Sequence, residues 1–152
     1  MTSVRTTSKM IALLDLGQSV WLDYLRRDML RNGDLAARIT EGLRGMTSNP
    51  TIFEGAIAGS ADYDEALTAP ALRDRTDAEL FEAIAIQDVQ MAADAFRVVY
   101  DATQGADGFV SLEVNPTLAR DTEGTLAEAR RLSRQVNRPN LMIKIPGTRE
   151  GW

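Results

Sequence analysis

The sequence predicts an α/β fold of parallel βα units, the first half of a (β/α)8 TIM barrel, from three observations. Four short strand-like segments alternate with longer helical patterns, which is the order of βα units. One face of the first, third and fourth segments is purely aliphatic, so helices should cover that face alone, whereas they cover both faces of a doubly wound sheet. The chain has 152 residues, fewer than the ~250 that a complete barrel needs.

The N-terminal elements are predicted first. Residues 1–14 are polar and then briefly apolar, and we interpret them as a short helix because no cleavage site of a signal peptide follows. Residues 19–23, SVWLD, predict the first strand. Residues 24–43 predict a helical region that is broken near Asn32-Gly33. Its apolar residues recur at helical spacing: Leu25, Met29, Leu35, Ile39 and Leu43.

The second strand and its helix follow. Residues 45–49, GMTSN, are weak in strand propensity. Pro50 suits the first turn of a helix, which we expect over 51–58. Residues 59–75 are long and mixed in composition, and we interpret them as a surface excursion rather than a domain boundary. Residues 1–152 are therefore expected to be the N-terminal part of one domain.

The C-terminal half of the chain predicts the longest helix, over 76–102, and three further elements. Thr76 and Glu79 have the spacing of a capping box. The apolar face of this helix is predicted at Leu80, Ile84, Val89, Ala92 and Phe96. The last elements are a strand at 108–114, a helix at 122–136 with Leu126, Ala129 and Leu132 inward, and a strand at 140–145.

Composition restricts the possible functions. The 17 basic and 22 acidic residues give a net charge of −5, which argues against a nucleic-acid or anionic-membrane surface. No apolar stretch approaches the ~20 residues that a membrane span needs. The chain has no cysteine, which fits a reducing cytoplasm. It also has no histidine, so catalysis would depend on carboxylates, lysine, hydroxyls or arginine.

Polar residues fall on the mixed face of each strand, near its C-terminal end: Asp23, Asn49, Glu113 and Lys144. In a parallel barrel this position is the inside top, where catalytic groups collect. Lys144 lies within the apolar run LMIKI, and a buried lysine is costly unless it is paired or gives up its proton. We therefore expect a buried Lys144 that faces Asp23 and Glu113.

Each of these residues also has a purely structural interpretation. Asp23 is of a type that begins turns or caps helices, and Asn49 before Pro50 is a good N-cap. Glu113 suits a solvated loop edge, and Lys144 suits a structural salt bridge. The shared phase of all four residues favours the functional interpretation.

The chemistry of lysine connects the four residues. A neutral lysine amine attacks carbonyl groups, and the protonated imine that results draws electrons from the neighbouring carbon atoms. Making or breaking a carbon–carbon bond then needs a carboxylate to move protons. A further group must orient water when the imine forms and hydrolyses. Asp23 and Glu113 are the natural candidates for these tasks.

Two motifs resemble those of the transaldolase family: GMTSNPTIF at 45–53 and LMIKIPGTREG at 141–151. SVWLD and SLEVNPTLARDTEGTLAEA resemble the first and third strand regions of that family, in the same order. The resemblance implies a (β/α)8 barrel without a cofactor or a metal. It also implies an activity of the pentose phosphate pathway, the transfer of a dihydroxyacetone unit from a ketose phosphate to an aldose phosphate.

The resemblance implies a role for each residue of the predicted site. Lys144 matches the lysine that forms the Schiff base, and Asp23 matches the aspartate that transfers protons during carbon–carbon cleavage. Glu113 matches the glutamate that acts through water when the imine forms and hydrolyses.

Substrate binding is implied in the same way. Asn49 matches the asparagine that hydrogen-bonds substrate hydroxyls, and Thr47 and Ser48 belong to its motif as supporting residues. The serine and arginine residues that bind the substrate phosphate are expected beyond this chain. The expected partners are sugar phosphates, with no nucleic acid and no membrane.

Two alternatives remain open at this point. The first is a related class I aldolase that cleaves fructose 6-phosphate without transferring the fragment. The second is an inactive half-barrel that acts only as an assembly module, because four strands leave two open edges. Such a chain would form a homodimer or associate with a C-terminal half.

Overall fold

The computed structural model describes residues 8–69 and 75–152. Its sheet consists of four parallel strands in the order β1-β2-β3-β4. Their bounds are Trp21–Asp23 for β1, Gly45–Thr47 for β2, Val110–Glu113 for β3 and Leu141–Lys144 for β4. Neighbours in the sequence are thus neighbours in the sheet, as a barrel requires, and this confirms the predicted first half of a (β/α)8 barrel.

Helices connect the strands, because parallel neighbours need long crossovers. The helices are α1 Lys9–Asp15, α2 Arg27–Arg31, α3 Asp34–Thr40, α4 Pro50–Ala58, α5 Asp64–Thr68, α6 Asp77–Ala102 and α7 Thr122–Val136. Single 3-10 turns lie at Ala61–Tyr63, Pro116–Leu118 and Arg149–Gly151. Residues 1–7 of the predicted first helix, and 70–74 of the predicted excursion, lie outside the described residues.

Several local predictions are confirmed at the helix ends. Gly33, with a φ of 89°, separates α2 from α3, because a left-handed residue cannot continue a helix. Thr76 and Glu79 form the expected capping box of α6. None of the helices in the described ranges has both the length and the hydrophobicity of a membrane span.

The two faces of the sheet differ as the sequence predicts. The core on one face joins Met46, Val110 and Leu112 to side chains of α2, α3, α6 and α7. The predicted helix face of residues 24–43 is buried throughout: Leu25, Met29, Leu35, Ile39 and Leu43. On the opposite face the register aligns polar residues, with Asp23 beside Thr47 and Glu113 beside Lys144.

The predicted inward face of α7 is partly wrong, and one apolar residue of β4 is exposed. In α7 the buried residues are Thr125, Leu132 and Val136, whereas Leu126 is 48% exposed, so the inward stripe begins one residue earlier than predicted. In β4 Met142 is 43% exposed. This strand lies at the edge of the sheet, and its inner face borders open space.

The surface excursion predicted for residues 59–75 is also corrected. Its described part contains a 3-10 turn and α5, and Tyr63 is fully buried there. Tyr63 packs with Ala56, Ala66 and Ile84 in a second, smaller core. This segment is therefore built into the fold and packs against α4 and α6.

Candidate active site

The carboxyl ends of the four strands open into one cavity of about 710 Å³. Asp23, Asn49, Glu113 and Lys144, which the sequence predicts for the site, all line it. Pro50, Thr51, Ile52 and Pro116 complete its wall. The parallel order of the strands explains this convergence, because equivalent ends of parallel strands meet at one rim.

Lys144 is held by polar groups. Its Nζ donates to Thr47 Oγ1 at 3.2 Å and to the Ser48 carbonyl oxygen at 2.9 Å. The Glu113 Oε2 atom lies 3.5 Å from the same nitrogen. The Lys144 side chain is 38% exposed, so the expected burial among apolar residues is wrong. The salt bridge suggested as its structural interpretation is present, and it joins two residues of the same cavity.

A second hydroxyl lies behind the amine. Ser111 Oγ donates to Thr47 Oγ1 at 2.8 Å, and Ser111 itself is buried. The Thr47 oxygen therefore lies between a serine hydroxyl and the lysine amine. The sequence analysis did not assign Ser111 to the site, although Ser111 has the same strand phase as Glu113.

Ser48 is turned away from the cavity. Its side chain is fully buried, and its Oγ donates to the Ser111 carbonyl oxygen at 2.8 Å. Its contribution to the rim is its own carbonyl oxygen, which accepts from Lys144. The geometry thus gives the Ser48 hydroxyl a role inside the sheet, whereas Thr47 keeps its hydroxyl beside the amine.

Asn49 has the structural function that its position before Pro50 suggests. Its Oδ1 accepts from the backbone N–H of Ile52 at 2.9 Å, so it is the N-cap of α4. Asn49 nevertheless remains half-buried and lines the cavity. Capping and exposure to the cavity are thus combined in one side chain.

Asp23 is exposed at the end of β1, which is an edge strand. The N-cap position of α2 belongs to Arg26, so the helix-capping interpretation of Asp23 is wrong. Its backbone is paired with that of Thr47 on β2. Its carboxylate therefore enters the cavity from the side opposite to Lys144, which lies at the end of the other edge strand.

A buried polar cluster that could not be read from the sequence includes Arg27, four residues after Asp23. It joins Arg27 of α2, Tyr63 of the 3-10 turn and Asp88 of α6, which are 2%, 0% and 0% exposed. Arg27 Nε donates to Asp88 Oδ1 at 2.7 Å, and the Tyr63 hydroxyl donates to Asp88 Oδ2 at 2.8 Å. The backbone N–H of Arg27 in turn donates to the Tyr63 hydroxyl at 3.0 Å.

The environment of the cluster shifts two of its pKa values. Burial raises the pKa of the Tyr63 hydroxyl, and the adjacent Asp88 raises it further. Burial also raises the pKa of Asp88, although Arg27 opposes this effect. Tyr63 therefore stays a neutral donor, and the guanidinium of Arg27 is the group that compensates the buried carboxylate.

A second cavity, of about 520 Å³, lies between α4, α6 and α7 and is lined mainly by apolar residues. It shares Asn49, Pro50, Glu113 and Pro116 with the first cavity, but neither Asp23 nor Lys144 lines it. Within residues 8–69 and 75–152, no cluster of three or more carboxylates has the arrangement of a metal site. The candidate active site is therefore the open cavity at the strand ends.

The comparisons with known proteins identify one family. Residues 20–152 match the family described as Transaldolase/Fructose-6-phosphate aldolase. The transaldolase of Trichodesmium erythraeum is 46% identical over 146 residues, which cover 95% of this chain and 38% of that protein.

Two further relatives agree. The transaldolase of Thermobifida fusca is 53% identical over 140 residues, and that of Thiobacillus denitrificans is 51% identical over 138 residues. These alignments cover 91% and 90% of this chain, and 38% of each relative. The chain thus spans about two fifths of the length of these curated relatives.

Proposed function

The chain belongs to the Transaldolase/Fructose-6-phosphate aldolase family, and from this premise we propose that it supplies the covalent chemistry of a transaldolase. The reaction converts sedoheptulose 7-phosphate and glyceraldehyde 3-phosphate to erythrose 4-phosphate and fructose 6-phosphate. It belongs to the pentose phosphate pathway, and we propose the cytoplasm as its location. No cofactor takes part in this proposal.

Lys144 forms the covalent bond in the proposed reaction. Its amine, in the neutral form, attacks the C2 carbonyl of the ketose phosphate and gives a carbinolamine, which loses water to become a protonated imine. Glu113, 3.5 Å from the amine, is placed to give and take the protons of that dehydration through a water molecule.

Asp23 acts on the carbon–carbon bond. Its carboxylate takes the proton of the C4 hydroxyl, the C3–C4 bond breaks, and the electron pair moves into the imine to give an enamine. The aldose phosphate leaves. The enamine then attacks the aldehyde carbon of the acceptor, Asp23 returns its proton to the new alkoxide, and hydrolysis of the imine frees Lys144.

Asn49 and Thr47 orient the reactants in this proposal. Asn49 lines the cavity between the two carboxylates and suits a hydrogen bond to a substrate hydroxyl. Thr47 accepts from the amine of Lys144, which limits the directions that the amine can take. The phosphate of the substrate is expected to bind residues outside this chain, in an associated C-terminal part or a second copy.

The observation that carries the proposal is the convergence on one cavity of an amine, two carboxylates and an amide. Lys144, Glu113, Asp23 and Asn49 come from four different strand ends of a parallel sheet. An amine and two acids at one cavity are the set of groups that imine-based carbon–carbon chemistry needs when histidine is absent.

Borohydride trapping tests the proposal directly. The assay uses the 152-residue chain and also a hybrid enzyme, in which this chain is joined to the remaining C-terminal residues of the Thermobifida fusca relative. With fructose 6-phosphate present, the hybrid enzyme is expected to gain the mass of one reduced three-carbon unit. Peptide mapping is expected to locate the unit on Lys144.

The sequence offers a matched control, because Lys9 and Lys144 are the only two lysines of the chain. Lys144→Met should abolish the adduct on the peptide that contains residue 144, and it should abolish turnover. Lys9→Met should change neither result. An adduct that remains after Lys144→Met, or no adduct in the parent hybrid enzyme, would contradict the proposed function.

A second candidate is cleavage of fructose 6-phosphate without transfer, which the description of the matched family also includes. Product analysis with and without erythrose 4-phosphate separates the two. Free dihydroxyacetone at the same rate under both conditions favours the aldolase. Dependence of turnover on the acceptor favours the transaldolase.

The open sheet edges support a further possibility, an assembly module that is inactive on its own. Sedimentation of the 152-residue chain would then show dimers or larger species, and its assay would show no turnover. Restoration of turnover by the C-terminal part would place the chain in an active enzyme.

A further inference from the structure

The buried cluster of Arg27, Tyr63 and Asp88 joins three segments that are far apart in the sequence. Arg27 and Asp88 are 61 residues apart, and Arg27 and Tyr63 are 36 residues apart. The guanidinium of Arg27 also lies 4.8 Å from the centre of the Tyr63 ring. Arg27 and Tyr63 both donate to Asp88, the Nη2 atom of Arg27 also donates to Gln87 Oε1 at 3.3 Å, and none of the three cluster residues lines the cavity.

A short backbone segment links the cluster to Asp23, the residue to which the proposed function assigns proton transfer. Asp23 is separated from Arg27 by three residues, of which Leu25 is fully buried in the main core. Because Asp23 is exposed on an edge strand with a single neighbouring strand, its backbone is held by β2 on one side. Along the chain, its position also depends on the contacts that fix Leu25 and Arg27.

We propose that Arg27, Tyr63 and Asp88 form a positioning cluster that fixes the β1–α2 connection and thereby the place of the Asp23 carboxylate relative to Lys144. This inference rests on the proposed role of Asp23 in carbon–carbon cleavage. The three residues touch no reacting group, so they act through the backbone of residues 24–27.

The hydrogen-bond directions support this role. The Tyr63 hydroxyl has one hydrogen, which it donates to Asp88, so its oxygen is left to accept from the Arg27 backbone N–H. The backbone that follows β1 is thus bound to a side chain whose orientation is itself fixed. Loss of this one hydroxyl frees the Arg27 N–H and removes one of the donors to Asp88.

Stability alone does not account for such a cluster. A buried ion pair is often no more stabilising than apolar residues of the same volume. What it adds is a defined arrangement, because Asp88 accepts from both Arg27 and Tyr63 while the Tyr63 oxygen accepts from the Arg27 backbone N–H. A misplacement of about 1 Å at a reacting group costs about a hundredfold in rate, so a defined position of Asp23 has a direct effect on catalysis.

Tyr63→Phe tests the proposal, because it keeps the ring and its packing and removes only the hydroxyl. Tyr100→Phe is the matched control. Tyr100 is partly buried, whereas Tyr63 is fully buried, and Tyr100 packs edge-to-face on Phe109 just before β3, with ring centres 5.4 Å apart. Both variants are made in the 152-residue chain and in the hybrid enzyme.

Two measurements separate positioning from general stability. In the 152-residue chain, amide hydrogen exchange at residues 24–27 is expected to be about tenfold faster in Tyr63→Phe, because one hydrogen bond is lost. In the hybrid enzyme, kcat should fall about ten- to hundredfold, whereas the KM and the total amount of trapped Lys144 adduct, with uncleaved and cleaved sugar counted together, stay at the parental values. Tyr100→Phe should leave all four quantities unchanged.

The outcomes are distinct. Unchanged exchange at residues 24–27 overturns the proposal, and so does a kcat within twofold of the parent. A total adduct that decreases in proportion to kcat also overturns it, because the cluster would then serve only folding. If the parent hybrid enzyme forms no adduct, the proposed function fails, and hydrogen exchange alone decides whether the cluster fixes residues 24–27.

Discussion

Removing the charge of Asp88 is expected to destabilise the chain more than any change at an exposed ion pair. The Asp88 carboxylate is 0% exposed, and it accepts from Arg27 and from the Tyr63 hydroxyl. Asp88→Leu leaves the Arg27 guanidinium buried without its counter-ion. Breaking a buried pair in this way costs about 3–5 kcal/mol, a large part of the ~5–15 kcal/mol by which a domain is stable.

Urea unfolding, followed by tryptophan fluorescence and circular dichroism, measures this change. With a denaturant dependence of about 2 kcal/mol per molar urea, a loss of 3–5 kcal/mol lowers the midpoint by about 1.5–2.5 M. The double variant Arg27→Met, Asp88→Leu removes both charges. It should regain at least about 2 kcal/mol relative to Asp88→Leu, because no unpaired charge is then buried.

Asp101→Asn is the matched control on the same helix. Asp101 pairs with Arg97 at 2.7 Å, but both side chains are more than half exposed, at 57% and 51%. The expected loss is below about 0.5 kcal/mol. An Asp88→Leu variant within 1 kcal/mol of the parent, or a double variant less stable than Asp88→Leu, would refute the reasoning.

Three further predictions follow from other contacts. Gly45→Ala places a Cβ against the Trp21 ring and should lower the free energy of unfolding by about 1–3 kcal/mol. The Trp21 fluorescence should also shift, and an unshifted spectrum at parental stability contradicts this prediction. Asn140→Leu leaves two buried carbonyl oxygens without their donor, so thermal unfolding should show a loss of about 2–5 kcal/mol, and a loss below 1 kcal/mol would count against it. A hydrogen bond from Arg131 lowers the pKa of Glu128 in the folded state. The pair therefore adds its full stability at pH values above the unfolded pKa of about 4.3. This stability disappears as the pH falls through the lower pKa of the folded state. Arg131→Gln should therefore cost about 1 kcal/mol at pH 7 and progressively less below pH 4, and a cost that is constant between pH 3 and 7 would exclude this explanation.

The strand order and the polar rim could be predicted from the sequence because both depend on local patterns. Alternation along a strand determines which residues share a face, and this rule alone brings Asp23, Asn49, Glu113 and Lys144 to one side of the sheet. The same rule also places Ser111 on this side, but Ser111 lies two residues before Glu113, and the strand pattern was applied only to the residues nearest each strand's end.

The features that could not be predicted depend on contacts between distant parts of the chain. The residues that pair in the Arg27–Asp88 contact are 61 positions apart, and each of them is unremarkable in its own segment. The burial of Tyr63 was missed for the same reason, since its neighbours in the sequence are mostly polar. The apolar neighbours of Lys144 in the sequence suggested that its side chain is buried. The exposure of a residue on an edge strand depends instead on the elements that pack beside that strand, and the local sequence does not specify them.

The hydrogen bond from the Ile52 N–H to Asn49 Oδ1 also determines which chemical groups this side chain can recognise. With one lone pair of its oxygen bonded to the helix end, the amide still offers the two hydrogens of Nδ2 to the cavity. These hydrogens suit a group that presents a lone pair, as a hydroxyl or carbonyl oxygen does. Exchange of this residue for aspartate would keep an acceptor for the helix end and replace the hydrogen donor by a negative charge, so a carbonyl oxygen would lose its donor while the fold stays intact.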